Sequence, residues 1–449
     1  MSDRPRLEVA EVFRQFSEDY LTKYGASAIQ RRALRDIQVC RTAALGGHLE
    51  ACDHCGHERP AYNSCRNRHC PKCQAMTRAH WMRAREAELL PVPYFHVVFT
   101  LPEALGPLAL QNQAVVYGVL FRAVSETLLE IAANPKHLWA KIGFLTVLHT
   151  WGQNLMHHPH VHCVVPAGGF AIPRKGQCGG LRRRTADARS VITPHNGPAE
   201  ANGSSTDNTT WVPGREKFFL PVRVLSRVFR GKFIDFLKQA ARSGKLTFHG
   251  NLASLANPRV FEQLLDQVVR HDWVVYAKRP FGGPQQVLKY LARYTHRVAI
   301  SNQRLLRFEN GQVTFSWKDY AHGNKQSTMT LAATEFMRRF LLHVLPTSFV
   351  KIRYYGFMAN RCRKANIALA RTLLGQSPTA DAADAELPPD ESQPTAIPDA
   401  KPTNDAISPE YGKCPVCEKG HMRVIAHIER PSRPWSSRSP PRPSPPDTS

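Results

Sequence analysis

Hydrophobic positions along the chain change period several times, and each change predicts a different element. Residues 5 to 38 set Leu, Val, Phe and Ile at helical spacing among charges, which predicts one or two amphipathic helices. After a cysteine-rich stretch from Cys40 to Cys73, the basic segment TRAHWMRAREAELL has a helical pattern and ends at Pro91 and Pro93. YFHVVFTLP then reads as a strand rich in β-branched and aromatic residues. Further on, the pattern predicts strands over 94–100, 142–149, 159–166 and 272–278, with a hairpin over 304–318. It predicts helices over 113–133, 218–242, 258–268, 284–297, 331–344 and 363–374. Several neighbouring strands have no crossover helix between them, so the expected class is α+β with an antiparallel sheet.

Composition divides the 449 residues into three expected units: 1–93, N-terminal helices and a zinc-binding domain; 94–375, the larger α+β domain; and 376–449, a tail. Within the second unit, residues 171–215 are rich in Gly, Asn, Ser, Thr and Arg without periodicity, which marks a surface insertion. The tail is dominated by Ala, Pro, Asp, Ser, Thr and Arg. Over 376–410 and 429–449 it is too poor in apolar residues to offset chain entropy, so disorder is expected there, around a lone Cys-x2-Cys knuckle at Cys414 and Cys417.

Lys and Arg number 60 against 36 Asp and Glu, a formal net charge of +24, which points to a polyanionic partner, nucleic acid first. Neither a secretory signal nor an apolar run of about twenty residues appears, so a cytoplasmic protein without a membrane span is expected. The eleven cysteines, most of them in or beside Cys-x2-Cys pairs, then read as metal ligands rather than disulfides.

In CDHCGHERPAYNSCRNRHCPKC, fourteen residues separate the pair Cys52/Cys55 from Cys70/Cys73. That spacing suits a zinc-ribbon-like site in which four thiolates close a tetrahedron with bonds of about 2.3 Å. Cys65 and His69 are surplus to one such site. Arg66, Arg68 and Lys72, interleaved with the cysteines, are expected to meet DNA phosphates. Cys414/Cys417 lacks two ligands, which His421 or a partner molecule would have to supply.

In LMHHPHVHCVVPAGG, strand alternation puts His158, His160 and His162 on one face, about 7 Å apart in succession, and His157 on the other. Burying three neutral imidazoles without ligands would leave several ring nitrogens to satisfy, so a divalent ion is the expected occupant. An imidazole pair alone does not choose among zinc, manganese and magnesium. In QQVLKYLARYTHRVAI, Tyr290 and Tyr294 lie four apart on a predicted helix and can face one phosphate, with Arg293 and Arg297 as a basic ridge beside them. The same spacing also suits core packing against Val287, Leu291 and Val298. A phenol needs a metal or cationic neighbours to act as a nucleophile.

SCRNRHCPKCQ, FHVVFTLP, HTWGQNLMHHPHVHCVVPAGG, YLARYTHRVAIS and the late RYYGFMAN follow one another between Ser64 and Asn360, and the likeness they carry covers residues 10 to 375. In this order they resemble the two-tyrosine HUH transposases of bacterial insertion sequences, which move by a rolling-circle route. The resemblance implies a ferredoxin-like endonuclease core in which His160 and His162 hold magnesium or manganese. It implies that Tyr290 or Tyr294 attacks single-stranded or hairpin DNA at element ends, leaving a 5′-phosphotyrosine. It leaves the third metal ligand among Gln153, His149 and His158, with Gln153 preferred. A plasmid replication initiator or relaxase would share the nicking chemistry. A non-catalytic zinc-dependent DNA-binding protein would explain the charge and cysteines but not the histidines and tyrosines.

Overall fold

The computed structural model describes residues 7–172, 209–215, 219–278, 299–319, 325–376 and 412–431. The expected helix over 284–297, with Tyr290, Arg293, Tyr294 and Arg297, lies outside them, as do most of the expected insertion and segments 377–411 and 432–449.

The strands in chain order are β1 (Gly47–Cys52), β2 (Glu58–Tyr62), β3 (Tyr94–Thr100), β4 (Ala140–Lys141), β5 (Gly143–Trp151), β6 (His157–Pro166), β7 (Gly168–Ala171), β8 (Trp211–Pro213), β9 (Val275–Lys278), β10 (Leu305–Glu309), β11 (Gln312–Asp319), β12 (Lys325–Ala332), β13 (Ile352–Gly356) and β14 (Met422–Ile428). The central sheet has the order β13-β5-β6-β3-β9 and is antiparallel throughout. Helices Gly106–Gln111 and Gln113–Ala133 link β3 to β5, and helices Val222–Arg242 and Pro258–Val269 link β6 to β9. Without β13 this is the split β-α-β-β-α-β arrangement of a ferredoxin-like fold, so the α+β antiparallel class is met. No described helix is long and apolar enough to cross a membrane.

Alternation gives the sheet two unlike faces. Phe95, Val97 and Phe99 of β3, Phe144 and Leu148 of β5, and Val161, Cys163 and Val165 of β6 join Leu120, Phe121, Phe229 and Phe233 of the crossover helices in the main core. Each such side chain contributes about 1.5–3 kcal/mol by leaving water. The residues between them, His96 of β3, Val147 and His149 of β5, and His160, His162 and Val164 of β6, take the second face.

β13 joins the sheet edge beside β5, with Tyr355 opposite Phe144 and Gly356 opposite Gly143. Gly356 has φ +61°, and a Cβ there would collide with the Ile142 carbonyl, so RYYG ends in the residue this turn requires. At one end of the second face, Arg85, Glu88 and Arg363 form a partly buried ion cluster, Arg85 also donates to Tyr354 of β13, and Arg363 stacks over the Tyr354 ring at 4.2 Å.

The expected boundary at residue 93 does not separate two cores. Helices Val9–Tyr24 and Ala28–Val39 pack on helix Ala333–Leu341 and on the sheet β10-β11-β12, in a second core that joins Val12, Phe13 and Ile37 to Phe315, Phe336 and Phe340. Phe13 meets Phe340 edge-on at 5.2 Å, and the Val9 N–H donates to Asn302 Oδ1. Apolar periodicity alone does not say which stripe covers which.

Between the two stretches expected to be disordered, the chain forms more than a lone knuckle. Residues 412–431 are folded: β14 pairs antiparallel with β1, from Gly47 opposite Ile428 to Cys52 opposite Met422, and β2 pairs on the other side of β1. Compositional reasoning misses this because β14 takes its order from β1 and from sulfur, with little apolar burial of its own; Val424 and Ile425 are each 53% exposed.

The cysteine module is fastened to the larger domain by His69. Burial pulls its imidazole down to about 3, so the ring is neutral; Nδ1 meets Asn67 Oδ1 at 3.0 Å and Nε2 accepts the Leu345 N–H at 3.1 Å. His69→Ala would strand a buried N–H, at about 1–3 kcal/mol. Urea unfolding of this variant should show that loss with zinc content unchanged; a fall in zinc would instead make His69 a ligand.

Candidate functional site

Register builds the histidine cluster. β5 and β6 pair with Val147 opposite His162 and His149 opposite His160, and the register shifts between His149 and Trp151. Three imidazoles from two strands therefore meet at one end of the second face. The ligand nitrogens of His149, His160 and His162 all lie within 4.8 Å of one another. Ring centroids are 4.2 Å apart for His149 and His162, and 4.8 Å for His160 and His162.

Burial keeps these imidazoles neutral, which is the form that binds metal. It pulls His160 down to about 4 and His149 and His162 well below the usual histidine range. Hydrogen bonds at the far ring nitrogens aim the lone pairs. His160 Nδ1–H donates to the His158 carbonyl at 2.7 Å, which leaves Nε2 as its ligand atom. His96 Nε2 lies 2.7 Å from His162 Nδ1 with the two rings stacked; with His162 Nδ1–H as donor in this contact, the His162 Nε2 lone pair is left for an ion. Such a trio of nitrogen donors fits a divalent ion.

Of the three candidates for the third ligand, His149 is the one whose ring nitrogen gathers with those of His160 and His162. Cross-strand pairing sets His149 directly opposite His160, whereas Gln153 sits in the turn past the end of β5, where its main-chain carbonyl accepts from Arg304 at 2.6 Å. His158 is exposed and contributes its carbonyl to His160. His157 faces the other way, with Nε2 2.9 Å from the Tyr117 hydroxyl. His96 and the buried Lys351, whose charge helps hold His149 neutral, were not singled out by sequence reasoning. His96 had a signal: it sits at the alternate position of FHVVF that shares a face with His162.

The cysteines are distributed differently from expectation. Cys70 and Cys73 gather with Cys40 and Cys65, whereas Cys52 and Cys55 gather with Cys414 and Cys417; within each group the sulfurs all lie within 4.8 Å. The hairpin β1–β2 carries Cys52 and Cys55 away from the second pair, so spacing along the chain groups the wrong thiols. In the first group Cys65 and Cys73 sulfurs are 3.7 Å apart, and hydrogen bonds led by that from Cys65 hold the Cys40 thiol far below its usual range. These four thiols are grouped as a structural zinc ion would require.

The basic side chains separate too. Lys72 is paired within the protein: its ammonium meets Glu8 at 2.6 Å and the Cys40 carbonyl at 3.4 Å, bracing the first helix against the cysteine loop. Arg66 is exposed, with φ +52°, and Arg68 is half-buried.

Three comparisons bear on this arrangement. The family model "Transposase zinc-binding domain" matches residues 12–101, and the model "Putative transposase" matches 143–178 and 190–366. The chain is 48% identical over 438 residues to the "Putative transposase y4qJ" of Sinorhizobium fredii, covering 96% of this chain and 98% of that protein. It is 27% identical to the transposase for insertion sequence element IS801 of Pseudomonas savastanoi pv. phaseolicola, over 75% of this chain and 74% of that protein. No solved structure matches. The chain thus belongs to the insertion-sequence transposase family that its motifs resemble, with that family's zinc-binding domain at the N-terminal side of a ferredoxin-like core.

Proposed function

We propose that this transposase cuts and transfers single DNA strands at the ends of its element, by a rolling-circle route, with His149, His160 and His162 holding a divalent metal and Tyr290 or Tyr294 as nucleophile. The observation that carries this reading is the convergence of three neutral imidazoles on the second face of a ferredoxin-like sheet. A bound ion would polarise the scissile phosphate and offset charge that develops on it.

The chemistry balances without a nucleotide cofactor. The tyrosine oxygen bonds to phosphorus, the bond from phosphorus to the 3′ oxygen breaks, the phenol proton passes to solvent, and the departing 3′ oxygen takes up a proton. The 5′ phosphate stays esterified to tyrosine, so its bond energy is kept for rejoining when a 3′ hydroxyl attacks it. Two tyrosines let one hold a strand while the other cuts a second. Arg293 and Arg297, four residues apart in sequence, would hold the phosphate, with Arg66 and Arg68 meeting the backbone further out. The substrate proposed is single-stranded or hairpin DNA.

Magnesium and manganese are the candidate ions. Three nitrogen donors favour manganese, because magnesium prefers oxygen ligands and keeps its waters. Cleavage of a labelled single-stranded element end should therefore saturate at lower manganese than magnesium; the reverse order would count against a three-imidazole site.

On a denaturing gel, wild type should give a covalent protein–DNA adduct and Tyr290→Phe with Tyr294→Phe should give none. An adduct from that double variant would overturn the nucleophile assignment. His149→Ala should abolish cleavage with zinc content retained, while Gln153→Ala cleaves; equal loss in both would restore Gln153 as a ligand. His96→Ala should weaken manganese binding by about 10–100-fold, measured by calorimetry.

A further inference from the structure

The zinc-binding family match ends at residue 101 and so includes Cys52 and Cys55 but neither Cys414 nor Cys417. Within residues 12–101, Cys52 and Cys55 are half a site, because the other cysteines of that stretch belong to the first group. The missing half stands more than 350 residues away in sequence. Cys52 and Cys417 sulfurs are 3.7 Å apart, and Cys55 and Cys414 sulfurs 3.6 Å. Four sulfurs bound to zinc at about 2.3 Å form a tetrahedron with edges of about 3.8 Å, whereas a disulfide would bring two of them to about 2.05 Å. The spacing is that of a metal tetrahedron.

The backbone around the sulfurs is arranged for thiolates. The N–H groups of His54 and Cys55 point at Cys52 Sγ from 3.4 and 3.5 Å, that of Val416 at Cys414 Sγ from 3.4 Å, and that of Gly420 at Cys417 Sγ from 3.4 Å. The two Cys-x2-Cys turns are closed by left-handed residues, Gly56 at φ +71° and Glu418 at +56°. A Cβ at Gly420 would come within 2.5 Å of Cys52 Sγ, so only glycine lets the C-terminal turn approach this sulfur. Asp53 locks the two turns together, taking the His421 N–H at 2.7 Å and Arg423 Nε at 3.0 Å.

We infer that Cys52, Cys55, Cys414 and Cys417 hold a second structural zinc ion, which clasps the C-terminal segment 412–431 onto the N-terminal module. The zinc-binding module is then built from both sides of the catalytic domain. Its sheet β14-β1-β2 and its second metal centre form only after the chain has been synthesised past Cys417. A copy of the element truncated before that point loses one metal centre and one strand of the module while keeping every residue of the histidine face.

Metal analysis of the purified full-length protein tests this directly. Wild type should carry two zinc ions per chain, and Cys414→Ser with Cys417→Ser should carry one. A wild-type chain with one zinc, or a double variant with two, overturns the proposal. If the variant does not fold, alkylation mapping of the wild type decides: Cys52, Cys55, Cys414 and Cys417 should be protected together in the two-zinc form and become reactive together as one zinc is removed. Free reactivity of Cys414 and Cys417 while Cys52 and Cys55 stay protected would sink the shared site.

Discussion

The antiparallel register between β5 and β6 decides everything that happens on the second face of the sheet. With His149 opposite His160, the odd positions of β6 enter the main core and the even ones form the histidine cluster. A slip of one residue would turn the imidazoles into the apolar core and Val161, Cys163 and Val165 out of it, an exchange that the packing of Phe99, Phe121 and Phe229 does not tolerate. The hydrophobic face thus fixes the register, and the register fixes the chemistry. Neutral imidazoles add no stability of their own, so the site rests on the apolar burial behind it.

The cysteine module follows a different rule. It has little apolar surface of its own to bury, and metal–thiolate bonds take over what a core does elsewhere. The two groups hold different things. Cys40, Cys65, Cys70 and Cys73 tie the end of helix Ala28–Val39 to the start of helix Gln74–Glu86, next to the second core, whereas Cys52, Cys55, Cys414 and Cys417 tie two remote segments across β1 and β14. Closing a loop of that length without a crosslink is entropically costly, and sulfur is the means that the sequence offers.

Local pattern carried most of the fold. The helix Gln113–Ala133, the strands β3, β5 and β6 and the hairpin turning at Asn310 and Gly311 all follow from periodicity and turn chemistry, the last through positive φ at both turn residues. The strand β12 did not, because KQSTMTLA carries only Met329 and Leu331 as large apolar residues on its inner face, too short an alternation to read, and its order comes from pairing with β11. The candidate site was half legible: alternation placed His160 and His162 together, but only strand pairing sets His149 opposite His160 and brings His96 to His162. For the cysteines the linear spacing misled, since fourteen intervening residues can close a site or, as here, carry a hairpin that parts the pairs. Partnerships across strands are tertiary facts, and one-dimensional spacing does not encode them.

One segment braces both kinds of centre. After helix Ala333–Leu341 the chain passes His343, whose Nε2–H donates to the Leu155 carbonyl and whose Nδ1 accepts from Thr150, one residue past His149. Two residues on, the Leu345 N–H is held by His69, one residue before Cys70. At Lys351 the carbonyl accepts the Leu148 N–H, next to His149 on the other side. His343 and Lys351 are buried. Residues 343–351 therefore run from the first cysteine group to both flanks of His149 through hydrogen bonds that cannot be exchanged for water. A disturbance at the cysteine group has a direct bonded route to the strand that carries His149. The zinc module is in this sense part of the foundation of the histidine face, which gives a physical reason for the two to occur in one chain.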